Sequence, residues 1–347
     1  MPPSPRSSPS LGPLVVRALE RRRPLLARAD TQAFRAFSGL PDGRDGLFID
    51  VYGPGAALIV HEQDAAPTPP EAHAADAAAV LEALAPVGVR AVYLKPFAKD
   101  RSRLGGELPP CTTDPTPAAG DPLPDHLLVR ELHWTLEVRL HDGLSTGIFI
   151  DQRANRGYVH AFCAARLRDT GTPPAVLNTF SYTAAFSVAA AVAGALTTSV
   201  DVSPRYLDWG KRNLAHNGID PALHRTARMD TFEFLRYARR KGLSYDVIIL
   251  DPPSFAAGSK RKGIPPWSSV ADYARLVAEA SDVLAPRGVI LASTNTRELC
   301  RPGRLEREVA DGLATRGKRP RPISLPPTPP DLAAERERFA ARAFTID

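Results

Sequence analysis

Long apolar segments and paired cysteines are both missing from this sequence. No apolar run in the 347 residues is long enough to cross a bilayer, and the N-terminal stretch MPPSPRSSPSLGP has no apolar core of the signal-peptide kind. The three cysteines, Cys111, Cys163 and Cys300, are odd in number and widely spaced, which argues against a disulfide framework or a zinc site. We therefore expect a cytoplasmic protein with no membrane partner and no metal.

A phosphate-binding glycine loop is also absent. The segment NTFSYTAAF, residues 178–186, contains no glycine, and the pattern GxxxxGK[ST] occurs nowhere. Such loops place backbone N–H groups against a pyrophosphate or a triphosphate. Their absence argues against a dinucleotide or a nucleoside triphosphate as the ligand.

Basic residues, by contrast, are in excess. The formal net charge is +6, the pI is about 9.4, and 44% of the residues are apolar, which suffices for one large domain or two ordinary ones. The excess is grouped in clusters at 21–23, 239–241, 260–262 and 316–321. Such clusters suit a polyanion, most simply nucleic acid, although solvated surface charge accounts for any single cluster equally well. The cluster at 260–262 differs because it lies shortly after the segment DPPSF, residues 251–255, which is a candidate active-site motif.

Three parts are predicted along the chain. Residues 1–30 are a flexible basic N-terminal segment, within which a short amphipathic helix interrupted by Pro24 is compatible with the pattern. Residues 31–125 alternate strand-like and helical patterns and form a small α/β accessory domain. Residues 126–347 form a larger domain that begins with a hairpin turning at Asp142-Gly143.

Strand-like and helix-like segments alternate regularly in the larger domain. The strand-like segments are VLNTF (176–180), TSVDV (198–202), RTARMD (225–230), DVIILD (246–251) and GVILAST (288–294). This alternation predicts an α/β fold with a doubly wound, mostly parallel sheet. The ligand site of such a sheet lies at the carboxyl ends of its strands.

Polar residues occupy four of these strand ends: Asn178, Asp201, Asp230 and Asp251. Asp201 follows Asn178 by 23 residues, close to the spacing at which an acid accepts hydrogen bonds from ribose hydroxyls. A single acid at such a position is more often a helix cap, but the ordered set is specific. Without a phosphate loop, the pattern fits a nucleoside ligand that lacks a pyrophosphate, and S-adenosylmethionine (SAM) is the common cofactor of that shape.

Four longer segments resemble one enzyme family. They are STGIFIDQRANR, VLNTFSYTAAFSVAAAVAGA, SVDVSPRYLDWGKRNLAHNG and DTFEFLRYARRKGLSYDVIILDPPSF. They are similar to class I SAM-dependent ribosomal RNA methyltransferases of the large-subunit methyltransferase I and K type, over roughly 127–347. The resemblance implies a Rossmann-like methyltransferase domain with a seven-stranded sheet, SAM as the cofactor and RNA as the partner. Only about 30 residues precede the small domain, so the PUA domain of the family's cytosine member is expected to be absent.

The resemblance also implies which residues bind SAM. The expected cofactor-binding residues are Arg153, Asn178, Phe180, Ser181, Tyr182, Asp201, Ser203, Met229, Asp230 and Asp251. Arg153 belongs to the Asp151-Gln152-Arg153 lid, where a guanidinium suits the SAM carboxylate. Asp201 is expected at the ribose, and Met229 with Asp230 at the adenine.

The sequence departs from the family at Ala184-Ala185, where a glycine pair is usual. Glycine lets the backbone approach a ligand closely, so two methyl groups are expected either to be tolerated or to narrow the SAM site. The second outcome would make this chain a non-catalytic copy.

The end of the fifth strand indicates the type of chemistry. Methylation of cytosine C5 needs a thiolate nucleophile, and cytosine-modifying members carry a Ser-Cys-Ser type sequence there. Here the sequence is Ser293-Thr294-Asn295, and Cys300 is interpreted as a loop or helix cysteine. The expectation is direct transfer to an RNA base, with Asp251, Pro252, Phe255 and Asn295 as the candidate catalytic residues. A small-molecule methyltransferase and a non-catalytic RNA-binding or assembly protein with a decayed SAM site stay open, as does the choice between monomer and homodimer.

Overall fold

The computed structural model describes residues 10–61, 68–97, 108–258, 265–332 and 338–347. Within these ranges no helix has the length and apolar character needed to span a membrane. The chain divides into two compact units. The first comprises Met1–Leu132, Glu137–Ile150 and Pro330–Ala334, and the second comprises His133–Leu136, Asp151–Pro329 and Glu335–Asp347.

The first unit is built on a five-stranded sheet. Its elements are α1 (Leu11–Arg21), α2 (Arg23–Leu26), β1 (Ala33–Ser38), β2 (Leu47–Tyr52), β3 (Gly55–His61), α3 (Ala74–Leu84), β4 (Ala91–Phe97) and β5 (Ala119–Gly120). The strand order is β1-β2-β3-β4-β5, and every neighbouring pair is antiparallel except β3 and β4. Helices α1 and α3 pack together and contribute to its hydrophobic core.

The N-terminal segment differs from the flexible segment that the sequence predicts. Leu11, Leu14, Val15 and Ala18 are at most 4% exposed and form one apolar stripe of α1, because residues three and four apart share a helix face. Residues 1–9 lie outside the described part of the chain, so the prediction is corrected only from Leu11 onward.

The predicted hairpin is present but turns elsewhere. Strands β6 (Leu127–Glu131) and β7 (Trp134–Val138) form a separate two-stranded sheet. The turn lies at Leu132 and His133, where Leu132 has φ 54°, rather than at Asp142-Gly143. The Asp-Gly pair is a good turn signal, but it falls in a later loop.

The second unit contains the expected seven-stranded sheet. Its strands are β8 (Ala175–Thr179), β9 (Leu196–Asp201), β10 (Arg225–Arg228), β11 (Tyr245–Leu250), β14 (Leu284–Thr294), β15 (Pro320–Ile323) and β16 (Ala340–Ile346). The strand order is β10-β9-β8-β11-β14-β16-β15. The first five strands in this order are parallel to one another, whereas β16 is antiparallel to both of its neighbours, β14 and β15. The predicted doubly wound, mostly parallel sheet is therefore confirmed.

Helices cover both faces of this sheet. They are α4 (Arg153–Thr170), α5 (Ala185–Val192), α6 (Pro204–Ala215), α7 (Thr231–Arg240), α8 (Ser269–Ser281) and α9 (Arg304–Ala314), and a short pair of strands, β12 (Phe255–Ala256) and β13 (Trp267–Ser268), precedes α8. Alternate residues of β11 enter different cores: Ile248 and Leu250 pack with α7, α8 and α9, whereas Val247 and Ile249 pack with α4 and α5. A strand buried on both faces is continuously apolar, which explains the run VIIL before Asp251.

The strand order locates the expected ligand site. Successive strands β8, β9 and β10 run outward in one direction, and β11 and β14 lie on the other side of β8. The order therefore reverses between β8 and β11, and ligands of open α/β sheets bind outside the carboxyl ends of the strands at such a point. Thr179, the last residue of β8, bridges the two strands there by donating its hydroxyl to Ile249 O at 2.6 Å.

Candidate active site

The loop after β8 has an unusual backbone. Phe180, Tyr182 and Ala184 have positive φ angles of 51°, 49° and 60°. Residues other than glycine rarely adopt this backbone conformation. Ser181 N donates to Val200 O at 2.9 Å, and Ala184 N donates to Ser181 O at 2.8 Å. Strained backbone of this kind is retained mainly where the surrounding structure requires it, as in ligand-binding loops.

Asp201 joins this loop to the end of β9. Its Oδ2 accepts a hydrogen bond from Tyr182 N at 2.9 Å, and its Oδ1 accepts one from Ser203 N at 2.8 Å. Burial raises the pKa of Asp201, and the hydrogen bonds from the Ser203 and Tyr182 amides oppose that rise. A carboxylate has about four acceptor positions, so Asp201 retains the capacity to accept a hydrogen from a hydroxyl group.

Three other predicted cofactor residues have local structural partners. Asn178 is 2% exposed and donates to Ser187 Oγ of α5 at 3.0 Å. Ser203 caps α6, with Oγ accepting from Tyr206 N at 3.4 Å. Asp230 caps α7, because its Oδ1 accepts from Phe232 N at 2.9 Å and from Glu233 N at 3.2 Å. The helix-cap interpretation of a lone strand-end acid therefore applies to Asp230, whose Oδ2 is not used in the cap.

Aromatic side chains surround the same strand ends. The Tyr182 ring meets the Tyr206 ring edge to face with centroids 4.5 Å apart, and the Phe180 ring lies 5.8 Å from that of Trp267. Met229, at the end of β10, is half-buried and packs against the core on the α7 face. Arg153 is the first residue of α4 and is 4% exposed.

Asp251 lies at the carboxyl end of β11 and is partly buried. Its Oδ1 accepts a hydrogen bond from Ser293 Oγ at 2.7 Å, and Ser293 Oγ in turn accepts one from Gln152 Nε2 at 2.9 Å. Burial raises the pKa of Asp251, whereas the hydrogen bonds from Ser293 and Gln152 and the charge of Arg156 favour its ionised form. A carboxylate with a raised pKa at a strand end is typical of a reaction centre.

The second proline after Asp251, Pro253, is held by the segment that leads into α8. Pro253 O accepts hydrogen bonds from Trp267 Nε1 at 2.6 Å and from Ser269 Oγ at 2.9 Å. Pro252 is buried, and the Phe255 ring is 65% exposed. The loop is therefore fixed at its base and presents an aromatic face to solvent.

Asn295 is brought to this loop from the end of β14. Ser254 Oγ donates to Asn295 Oδ1 at 2.7 Å. The structure thus places Asp251, Pro252, Phe255 and Asn295 at one edge of the sheet, as the strand-end pattern predicts.

Cys300 has the features of a loop cysteine. Its Sγ donates to Thr294 O at 3.6 Å, and burial raises the pKa of the thiol. A raised pKa disfavours the thiolate that a nucleophile needs.

The methyl group of Ala184 does not line an open surface. Ala184 is 2% exposed, and a Cβ added at Gly210 of α6 would lie 2.7 Å from the Ala184 Cβ. The Ala184 side chain thus fills the space that Gly210 leaves. Ala185 is the half-buried first residue of α5.

The described basic clusters are partly used in ion pairs. Arg22 is 6% exposed and pairs with Asp42 at 2.6 Å in the first unit. In the second unit, Arg239 and Arg316 both approach Asp282 Oδ2, at 3.3 and 3.2 Å. The cluster Lys260, Arg261 and Lys262 lies outside the described residues.

The sequence did not predict a functional role for Gln152, Ser293 or Tyr273. Gln152 and Ser293 were named only as members of motifs, and Tyr273 was not named. Tyr273 Oη lies 2.8 Å from Ser293 O and 3.3 Å from Leu250 O, so it joins the ends of β14 and β11. These contacts connect segments far apart in the chain, and no local sequence signal encodes them.

Residues 115–332 match the model of a protein family described as S-adenosylmethionine-dependent methyltransferase. The chain belongs to that family. The resemblance read from the sequence is thereby confirmed, and SAM is the cofactor.

Relatives that are named as ribosomal RNA methyltransferases match most of this chain in sequence. YwbD of Bacillus subtilis (strain 168), a candidate ribosomal RNA large subunit methyltransferase, is 36% identical over 283 residues, which are 81% of this chain and 65% of that protein. The ribosomal RNA large subunit methyltransferase of Deinococcus radiodurans is 33% identical over 291 residues, 80% of this chain and 64% of that protein. The chain thus spans somewhat less than two thirds of these relatives.

A solved structure shares the fold and holds a product of SAM. SMU.776, a candidate methyltransferase crystallised with S-adenosylhomocysteine (SAH), has a TM-score of 0.75 and 29% identity, covering 97% of this chain and 80% of that one.

The residues of this methyltransferase fit SAM on structural grounds as well. Among the described residues, Ser181 Oγ is buried without a hydrogen-bond partner, and it lies in the strained loop next to Asp201. An unpaired buried hydroxyl costs free energy unless a ligand supplies the missing bond.

Proposed function

We propose that this protein transfers a methyl group from SAM to a base of large-subunit ribosomal RNA, without a cysteine nucleophile. The observation that carries the proposal is the arrangement at the carboxyl end of β11, where Asp251 accepts a hydrogen bond from Ser293 and the same loop carries the exposed ring of Phe255. The names of the relatives supply the substrate class, and a cytoplasmic location follows from that substrate.

In the proposed SAM site, the strained loop holds the methionine part. Phe180, Ser181 and Tyr182 belong to this loop, and Arg153 and Asn178 complete this side in the prediction from the sequence. Asp201 accepts hydrogen bonds from the ribose hydroxyls, with Ser203 beside it, and Met229 with Asp230 meets the adenine. SAM supplies the methyl group on its sulfonium sulfur.

The proposed role of the DPPSF loop is to orient the target base. A base must leave its stack to reach an enclosed reaction centre, and an exposed aromatic ring such as Phe255 offers it a stacking surface. Asp251 and the Pro252 carbonyl are acceptors for the hydrogens of an exocyclic amino group. A ring nitrogen such as guanine N7 needs only alignment with the methyl group.

The structure gives the non-catalytic alternative no support at Ala184. The sequence predicts a decayed site if the methyl groups narrow the SAM site, but the Ala184 methyl group is buried against Gly210.

The experiment that tests the proposal compares the modified nucleosides of ribosomal RNA from cells with and without the gene by mass spectrometry. We expect one methylated nucleoside to disappear and to return when the wild-type gene is restored. An unchanged set of methylated nucleosides would contradict a ribosomal RNA substrate and would favour a small-molecule methyltransferase.

A variant ties the same reaction to the site. Restoring the gene with Asp251→Ala should fail to return the methyl mark, while calorimetry of the purified variant should show SAM affinity within a few-fold of wild type. Full activity of this variant would remove Asp251 from the reaction centre.

A further inference from the structure

A chain of hydrogen bonds joins the start of α4 to Asp251. Asn155 Nδ2 donates to Gln152 Oε1 at 2.7 Å, Gln152 Nε2 donates to Ser293 Oγ at 2.9 Å, and Ser293 Oγ donates to Asp251 Oδ1 at 2.7 Å. The four residues come from three separate parts of the second unit: the beginning of α4, the end of β14 and the residue after β11.

The carboxylate fixes the direction of this chain. An ionised Asp251 only accepts hydrogen bonds, so the Ser293 hydroxyl must donate to it. Ser293 then has only lone pairs left for Gln152, and the Gln152 amide must point its NH₂ group toward Ser293 and its oxygen toward Asn155. Reversing any one of these groups would set two donors or two acceptors against each other.

Burial makes the chain rigid. Asn155, Gln152 and Ser293 are 4%, 2% and 0% exposed, so water does not compete for their hydrogen bonds. A fully satisfied buried network holds its members in one arrangement, and losing one member leaves the others unpaired.

We propose that Gln152 is a positioning residue for methyl transfer, which together with Ser293 holds Asp251 in the orientation and the charge state that the reaction uses. The inference rests on the proposed function and goes beyond it, because Gln152 itself touches neither SAM nor the base in this scheme.

Ionisation of Asp251 matters whichever atom of the base is methylated. Transfer moves positive charge from the sulfonium of SAM to the base, and a fixed negative charge nearby stabilises that charge. The groups that face Asp251 are Ser293 on β14, Gln152 and Arg156 at the start of α4, and Tyr273 on α8. Gln152 and Ser293 favour the carboxylate by hydrogen bonding and Arg156 favours it by its charge, against the effect of burial.

The sign of the pH effect follows. A donor that favours the carboxylate lowers the pKa of Asp251, so its removal raises the pKa of that carboxyl group further above the usual range. If transfer requires the ionised form, the rising acid limb of the rate profile moves to higher pH when Gln152 loses its amide.

The test uses Gln152→Met in the full-length protein, because methionine keeps the length of the side chain and loses the amide. The Asp251 carboxyl carbon is followed by ¹³C NMR across pH, with Asp251→Asn to assign its signal. We expect a higher titration midpoint in Gln152→Met, a roughly ten- to a hundredfold slower transfer to ribosomal RNA on the acid limb, and SAM affinity within about twofold of wild type. Gln32→Met is the matched control, since Gln32 lies in the first unit and accepts a bond from Arg130 N.

A double-variant cycle separates positioning from general loss of stability. Ser293→Ala breaks the same chain one step nearer to Asp251, so the rate loss of Gln152→Met combined with Ser293→Ala should be smaller than the product of the two single losses. Multiplied rate losses in the double variant would overturn the inference, and so would an Asp251 midpoint that Gln152→Met leaves unchanged.

The outcome is separable from the proposed function. If wild type transfers no methyl group to ribosomal RNA, the proposed function falls, while the NMR midpoint still decides whether Gln152 controls Asp251. If wild type is active and both readouts of Gln152→Met match those of Gln32→Met, the role of Gln152 alone is disproved.

Discussion

At the scale of single residues, Ala184 combines an unfavourable backbone with a favourable contact. Its left-handed conformation costs an L-residue roughly 1–2 kcal/mol, and its buried methyl group returns about 0.8 kcal/mol by leaving water. The second effect offsets part of the first and leaves a net cost of about 1 kcal/mol or less, so alanine is tolerated at this position. The condition is that α6 has glycine at 210, because no other residue leaves room for the methyl group.

This contact gives a prediction about Gly210. Gly210→Ala would set two methyl carbons about 2.7 Å apart and force the Ala184 loop to move, so we expect a loss of about 1–3 kcal/mol in the free energy of unfolding and weaker SAM binding. Urea denaturation and calorimetry measure the two effects. Adding Ala184→Gly to Gly210→Ala should restore both quantities, because it removes the second methyl group; additive losses would show that the two positions do not touch.

At the scale of secondary-structure elements, the first turn of α8 and the residues just before it support the DPPSF loop, residues 251–255, hereafter the reaction loop. Trp267, just before α8, and Ser269, its first residue, both donate to Pro253 O. Two prolines restrict the backbone of the loop, and two donors fix the position of its carbonyl group. The element therefore supplies rigidity that Asp251-Pro252-Pro253 cannot generate alone.

Two serines of α8 allow this role to be measured. Ser269→Ala removes a bond to the loop, whereas Ser281→Ala removes a similar bond, from Ser281 Oγ to Ala278 O at 2.7 Å, at the opposite end of the same helix. Both variants should lose about 1 kcal/mol of stability, but only Ser269→Ala should slow methyl transfer, by several-fold, with SAM affinity unchanged. Equal transfer rates in the two variants would deny the first turn of α8 a part in catalysis.

At the scale of the whole molecule, the net charge of +6 favours a polyanionic substrate over a small neutral one. Not all of this charge is available. Arg22 is committed to Asp42, and Arg239 and Arg316 share Asp282. The sequence leaves Lys260, Arg261 and Lys262, directly after the DPPSF motif, as the basic cluster nearest to the reaction loop along the chain.

The positive charge of this cluster predicts how RNA binding responds to salt. The logarithm of the RNA association constant should fall linearly with the logarithm of salt concentration, because each neutralised phosphate releases counterions. Replacing Lys260, Arg261 and Lys262 with alanine should make that slope shallower by about 2 to 3, at roughly 0.7–0.9 for each phosphate that is no longer neutralised. Filter binding at several salt concentrations measures the slope, and SAM affinity serves as the internal control. A slope identical to that of wild type would place the RNA-binding residues elsewhere.

The local pattern of the sequence sufficed for the five parallel strands of the second unit and for the places where they end. It did not identify β15 and β16, and the number of seven strands came from the resemblance to the family. Apolar runs such as VIIL and the helical periods between them are local properties, so they predicted the parallel sheet and put Asp201 and Asp251 at its carboxyl edge. Local signals gave a wrong prediction where two possible turn positions compete. The Asp-Gly pair at 142–143 is a stronger turn signal than Leu132, yet the hairpin turns at Leu132. The pattern was compatible with an amphipathic helix before Pro24, but it could not show that the apolar stripe of α1 is buried.

Only the tertiary structure decided which side chains act together. Strand ends that are adjacent in the sheet are far apart in the chain, so the sequence could name Asp251 and Ser293 but could not show that Gln152 reaches them. It could not show either that Ala184 rests on Gly210, or that Asp230 caps α7 while Asp201 spans two loops. Hydrogen bonds and packing depend on distances of a few ångströms between separate elements. Those distances are set by the strand order β8-β11-β14 and the helices packed on it, which no single segment encodes.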